Sequence, residues 1–227
     1  MNSFSVDSNN EEVLLSVENY QVMMEWEKPY MEKSIDILEP TGRVLEIGFG
    51  CGYSATHILK HSPKSYTVIE CDPIVIKRAK EWRKQFPNAS ITIIEGTWQN
   101  KLHTLENFDQ IYFDDFPLNL DANSSKLEQG ISSKRHLLFI DRCIQNHTTV
   151  GSRICWYLNG NPDTFDLGSD TEPFIDKYIQ TIDVKVPDTC RYRGGAMAEQ
   201  RCTIPLIVKT IEYDYTVAQR YALSQII

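Results

Sequence analysis

Arg43-Val44-Leu45-Glu46-Ile47-Gly48-Phe49-Gly50-Cys51-Gly52-Tyr53 decides the fold. Val44 to Ile47 is a short apolar run of the kind that forms a buried strand. Three glycines at alternate positions follow, and Tyr53 to Lys60 reads as the start of a helix. A strand feeding a glycine turn and a helix is the ligand-binding end of an α/β sheet. The turn lets the backbone approach a ligand, and the helix N-terminus offers free N–H groups. The spacing Gly-x-Gly-x-Gly is neither a dinucleotide fingerprint nor a phosphate loop.

Tyr66-Thr67-Val68-Ile69-Glu70 is a second strand, ending in an acid 18 residues past Gly52. A carboxylate there either accepts hydrogen bonds from the ribose hydroxyls of an adenosine ligand or is a solvated strand-end acid. Further on, strands are expected near 91–94, 109–114 and 153–158, with helices near 53–61, 73–85, 99–105 and 132–147. This alternation implies an α/β fold whose parallel sheet is covered on both faces. Asp72-Pro73 is an N-cap followed by proline at the first helical position.

At the N-terminus, residues 1–12 are polar and read as a mobile arm, and Val13 to Tyr20 as a short helix. A helix is expected over 21–38, restarting at Pro29. After Gly160 the pattern predicts a helix at 172–180, a strand at 181–186 and a last strand at 202–210. The stretches 118–130 and 161–170 read as loops, and 211–227 as a packing or oligomer-contact tail. No repeat or second domain is evident, so residues 1–227 are expected to form one domain.

The chain carries 23 Lys and Arg against 31 Asp and Glu, a net charge of −8. An acidic surface does not suit a protein that grips nucleic acid phosphates. The six cysteines have no Cys-x-x-Cys spacing, as expected of reduced thiols. No secretory signal is evident and no apolar run reaches the roughly 18 residues of a membrane span, so a cytoplasmic protein without membrane partners is expected. His57 and His61 stand four apart on a helix, but no third ligand is evident and no metal site is expected.

The fourth strand ends in Asp114-Asp115 at the carboxyl end of the sheet, where ligands bind. Adjacent strand residues point to opposite faces, so one of the two acids is expected to face the ligand.

The glycine turn, Glu70 and Gly96-Thr97-Trp98 together resemble class I S-adenosylmethionine (SAM)-dependent methyltransferases. The blocks Val22-Met23-x-x-Trp26-Glu27-x-Pro29-Tyr30-Met31, Ile69-Glu70-Cys71 and Asp114-x-Phe116-Pro117-Leu118 narrow this. In that order they resemble guanidinoacetate N-methyltransferase and its relatives, which include fungal type 2 arginine N-methyltransferases. The resemblance implies a Rossmann-like, seven-stranded, mostly parallel sheet closed by an antiparallel C-terminal hairpin, with SAM as cofactor. It implies that Met23, Met31, Phe49, Gly50, Cys51, Gly52, Tyr53, Glu70, Cys71, Trp98 and Asp114 line the cofactor site. Trp98 is either at the adenine ring or a core anchor. Glu27 and Asp114 would grip a guanidinium, with Asp114 as the base, and residues 21–38 would form a lid and substrate helix.

The family's substrate-carboxylate loop falls at Asn159-Gly160-Asn161-Pro162 here, where proline removes a donor. Asn159 and Gly160 are the candidate contacts to the far end of the substrate. The implied activity is N-methylation of a small guanidino compound such as guanidinoacetate or free arginine, by a monomer or homodimer. A protein arginine methyltransferase, disfavoured for want of a docking domain, and a non-catalytic SAM-binding protein are the alternatives.

Overall fold

The computed structural model describes residues 2–116, 135–158, 167, 171–191 and 198–218. The loop at 118–130 and the stretch 159–162 lie outside these, as does the end of the tail from 219 onward. Among the described residues the elements run β1 (Ser3–Val6), β2 (Glu12–Leu15), β3 (Gln21–Met24), a 3-10 turn (Glu25–Glu27) and α1 (Lys28–Leu38). Next come β4 (Arg43–Ile47), α2 (Tyr53–Lys60), β5 (Ser65–Glu70), α3 (Pro73–Arg83), β6 (Ile91–Glu95) and a single turn α4 (Trp98–Lys101). The chain closes with β7 (Phe108–Phe113), α5 (Arg135–Asn146), β8 (Thr148–Trp156), β9 (Ile175–Val186) and β10 (Ala198–Lys209).

Seven strands form one sheet in the order β6-β5-β4-β7-β8-β10-β9. β4 to β8 run parallel, while β10 is antiparallel to both β8 and β9. The fold class read from the sequence is therefore present, including the C-terminal hairpin. The order reverses at β4, whose neighbours are β5 and β7, which opens a crevice at the carboxyl ends of these three strands.

Alternation along each strand divides the core in two. Val44, Tyr66, Val68, Tyr112 and Cys155 pack on one face with residues of α1, α2 and α3. Leu45, Ile47, Ile69, Ile111, Phe113, Ile154 and Trp156 pack on the other with Phe139, Ile140, Cys143 and Ile144 of α5. Asp72 caps α3, its side chain accepting from Ile74 N and Val75 N at 2.8 and 3.1 Å.

Two parts of the sequence reading need correction. Residues 3–24 form a three-stranded antiparallel sheet, not an arm followed by helices. Two asparagines explain this. Asn10 and Asn19 adopt φ of 62° and 65°, the left-handed conformation that asparagine tolerates in tight turns. Asp7 closes the first turn by accepting from Asn9 N and Glu11 N, both at 2.9 Å. The second correction is at 172–180, where a 3-10 turn (Glu172–Phe174) leads into β9. Twelve paired positions along β10, from Ile175↔Lys209 to Val186↔Ala198, override the local helical spacing.

The small sheet joins the main fold through buried Val13, Leu14, Met23 and Met24, which pack into the same core as Tyr30 and Phe49, and polar ties reinforce that packing. Glu12 of β2 takes Arg78 of α3 through both carboxylate oxygens, at 2.5 and 2.9 Å, and accepts from the Tyr53 hydroxyl at 3.0 Å. On the far side Gln21 donates to Thr189 O at 2.8 Å and accepts from Arg191 N at 2.7 Å. Glu12→Ala should cost about 1 kcal/mol, the worth of a bidentate, partly screened pair. Hydrogen exchange should speed up at residues 3–15 while β4 and β5 stay protected. Equal acceleration in both regions would show that the small sheet does not open separately.

Candidate active site

The crevice collects acids because one parity of the sheet's alternation ends in them. Glu46 and Glu70 share a face with Val44 and Val68, and Asp114 continues the parity of Tyr112. Asp115 points to the opposite face. There it accepts from Trp98 Nε1 at 3.0 Å and pairs with Arg135 Nε at 2.6 Å. The sequence expectation that the two aspartates divide between the faces is met, and Asp114 is the one turned toward α1.

Asp114 meets other carboxylates. Its carboxyl is held well above the usual range, first by burial, then by Glu27, Glu46 and Asp115, with Arg135 opposing. Glu27, in the turn before α1, accepts from the Tyr157 hydroxyl at 2.7 Å and from Met24 N at 2.7 Å. Tyr157 follows β8 directly and sets its ring edge-on to Tyr30, with centroids 5.0 Å apart. Tyr30 is itself fixed, donating to Thr203 O at 2.8 Å and accepting from Leu158 N at 3.2 Å. The structure thus brings Glu27 and Asp114 into one electrostatic group and adds Tyr157. Tyr157 sits at the carboxyl end of a parallel strand, a position that strand reading alone marks as site-facing.

Beside this group lies the glycine turn. Gly48 adopts φ of 83°, and a Cβ there would collide with the carbonyl oxygen of Asp114. At Gly50, with φ of 53°, a Cβ would strike Sδ and Cε of Met23. Met23 also accepts from Cys51 N through Sδ at 3.1 Å. Cys51 and Phe49 are buried, and Phe49 packs edge-on against Trp82 at 5.2 Å. Burial and the neighbouring Glu12 push the Cys51 thiol up to about 12, so it stays protonated.

Glu70 accepts from Phe49 N at 2.8 Å, Cys71 N at 2.7 Å and Asp72 N at 2.9 Å. A carboxylate has about four acceptor positions, so roughly one remains for a ribose hydroxyl. The donor set suits an adenosine-type cofactor bearing a cation: a glycine turn, a strand-end carboxylate, and acids beyond it. Met31 lies in the core beneath α1. Trp98 is enclosed in the opposite core layer, edge-on to Phe113 and Phe139 at 6.1 and 5.3 Å, with Arg142 over its ring at 5.8 Å. The candidate substrate contacts Asn159 and Gly160 lie outside the described residues.

Comparisons with known proteins agree with this geometry. A family model, guanidinoacetate N-methyltransferase, matches residues 2–144. Protein arginine N-methyltransferase 2 of Candida glabrata is 38% identical over 119 residues, covering 47% of this chain and 28% of that protein. The protein of the same name from Aspergillus oryzae is 37% identical over 126 residues, covering 51% and 30%. The chain therefore spans under a third of the length of these relatives. Precorrin-6y C5,15-methyltransferase of Geobacter metallireducens has the same fold, with a TM-score of 0.54 over 91% of this chain and 93% of that one at 12% identity.

Glu46 was not singled out in the sequence, although an acid inside an apolar strand was a visible signal. It is fully buried and bonds the Tyr66 hydroxyl through Oε2, while Oε1 has no hydrogen-bond partner among the described residues. Burial, opposed by hydroxyls of Ser54 and Tyr66, raises its carboxyl from 4.5 to about 7. A raised carboxyl favours the protonated fold. Its contribution is complete below about pH 4.5 and is lost as pH rises through about 7, roughly 3 kcal/mol in all. Asp114 acts with the same sign. In urea unfolding at pH 5 and pH 8, Glu46→Gln should lose less stability across the interval than the parent. Parallel losses would place the titration at another group.

Proposed function

The chain belongs to the guanidinoacetate N-methyltransferase family and is a SAM-dependent methyltransferase, and from that premise we propose that it methylates a guanidino nitrogen of a small compound, guanidinoacetate, free arginine or a relative. The observation that carries the reading is the acid group of Glu27 and Asp114 beside the glycine turn, with Tyr157 holding Glu27. Bound SAM supplies an electrophilic methyl on a sulfonium.

A guanidinium next to a sulfonium is a poor arrangement without help. Two unit charges about 4 Å apart repel by roughly 4 kcal/mol at an effective dielectric of 20. The guanidinium's lone pairs are also delocalised and its pKa lies above about 12. Carboxylates at Glu27 and Asp114 offset the repulsion and align one nitrogen through charge-assisted bonds. As that nitrogen gains the methyl carbon, it releases a proton, and Asp114 is the acceptor. A carboxylate pushed upward by burial and like charges is a stronger base than one in water, which suits that role.

The raised Asp114 carboxyl must be ionised to receive a cation. Guanidinium binding is then coupled to proton release, and kcat/KM should climb as pH rises through the elevated Asp114 value. Asp114→Asn should remove that limb and slow single-turnover transfer by roughly 100- to 10,000-fold, the span of general-base catalysis. Normal turnover of the variant at saturating substrate would make Asp114 a clamp and not a base.

A second reading, protein-bound arginine as acceptor, is favoured by the relatives named protein arginine N-methyltransferase 2. Competition among guanidinoacetate, arginine and an arginine-containing peptide should rank a small molecule first by kcat/KM. Preference for the peptide would promote the second reading, and no turnover of any of them would overturn the guanidino acceptor.

A further inference from the structure

α1 and α2 pack side by side, and their C-terminal halves, with Asp36, His57 and His61, lie about one to three turns beyond Glu27 and the glycine turn. Their shared surface carries histidines and acids that the methyl-transfer chemistry does not use. His57 and His61 stand one turn apart on α2, which lacked a third ligand in the sequence alone. α1 supplies it. Asp36 Oδ1 lies 2.7 Å from His57 Nε2 and 3.2 Å from His61 Nε2. Among the described residues these three make one group whose donor atoms all fall within 4.8 Å of one another.

We propose that Asp36, His57 and His61 bind a divalent cation of the zinc class. Two imidazoles and one carboxylate are the ligands of borderline cations such as zinc, nickel and copper, whereas calcium and magnesium favour oxygen sets. Bonds of about 2.0–2.1 Å in a tetrahedron put ligand atoms roughly 3.4 Å apart. The His61–Asp36 separation is close to that already. Asp36 must draw back from His57 by less than about 1 Å, and its side chain is 49% exposed, so no core packing opposes that shift.

The surroundings fit the same occupant. Glu32, one turn before Asp36 on α1, places Oε1 3.6 Å from His57 Nδ1. With the ion on Nε2, Nδ1 carries the proton, and an approach of a few tenths of an ångström would let Glu32 accept a hydrogen bond from it, the carboxylate–histidine pairing that orients metal-bound imidazoles. Lys60 Nζ, 3.3 Å from the same Nδ1 and 3.5 Å from Glu32 Oε1, is the opposing charge; its side chain is 59% exposed, so an arriving ion would displace it into solvent. Three protein ligands leave a fourth position for water. The ion would join the helix that begins after Glu27 to the helix that begins after Gly52. It would therefore fix the substrate acid relative to the glycine turn.

Calorimetric titration of zinc chloride into the reduced full chain tests this. One ion per chain should bind with micromolar or tighter affinity. His61→Ala should weaken it at least 100-fold, and His57→Ala with His61→Ala should abolish it, with circular dichroism unchanged in both. Cobalt(II) should give tetrahedral absorption without a thiolate charge-transfer band. Equal zinc affinity in the double variant, a thiolate band, or no micromolar binding by the parent chain would overturn the assignment.

Discussion

Like-charge crowding on one face of the sheet is the constraint to which the rest of the site answers. Glu46 and Asp114 share that face, and Glu27 joins them from the turn before α1. Burying carboxylates near one another raises their proton affinity and weakens the ligand-free fold at high pH. Such an arrangement suits a cationic guest, whose arrival replaces repulsion with attraction. The core around it is correspondingly firm: Val44, Tyr66, Val68, Tyr112 and Cys155 are all fully buried beneath the acids.

The opposite face shows what the same residue type does when its charge is matched. Asp115 differs from Asp114 by one position, and the alternation of the strand carries it to Arg135 and Trp98. It is an anchor between β7 and α5, not a ligand group. Two neighbouring aspartates thus have different chemistry because of strand parity alone. A one-residue slip of β7 would exchange them.

The central strands were legible because each is a short, mostly apolar run followed by glycine or ending in an acid, and the glycine turn, Glu70 and Asp114 follow directly from those endings. The N-terminal sheet was not legible. Its strands are four residues long, and their pairing depends on left-handed turns at Asn10 and Asn19 that a search for helical spacing passes over. β9 was hidden for another reason: its partner, β10, lies more than ten residues downstream, and pairing across that distance outweighs local preference. Tyr157 and Asp36 escaped because their significance arises from contacts with Glu27 and His57, which lie far away in sequence.

The segment from Met23 to Glu27 connects the two halves of the site more directly than the sheet does. Met23 rests its sulfur on the glycine turn, accepting from Cys51 N. Met24 N donates to the Glu27 carboxylate, which in turn holds Tyr157. Five residues therefore run from the glycine turn at one end to the Glu27–Tyr157 contact at the other. A single strand end and one hydrogen bond separate Met23 from the Glu27 carboxylate. β3 belongs to the small sheet and not to the main one, yet Met23 and Met24 are buried in the core shared with Tyr30 and Phe49, so packing holds this segment along with the Glu12–Arg78 pair. The small sheet then serves as the mount that sets the acid's position, and the large sheet as the fixed frame against which that position is measured.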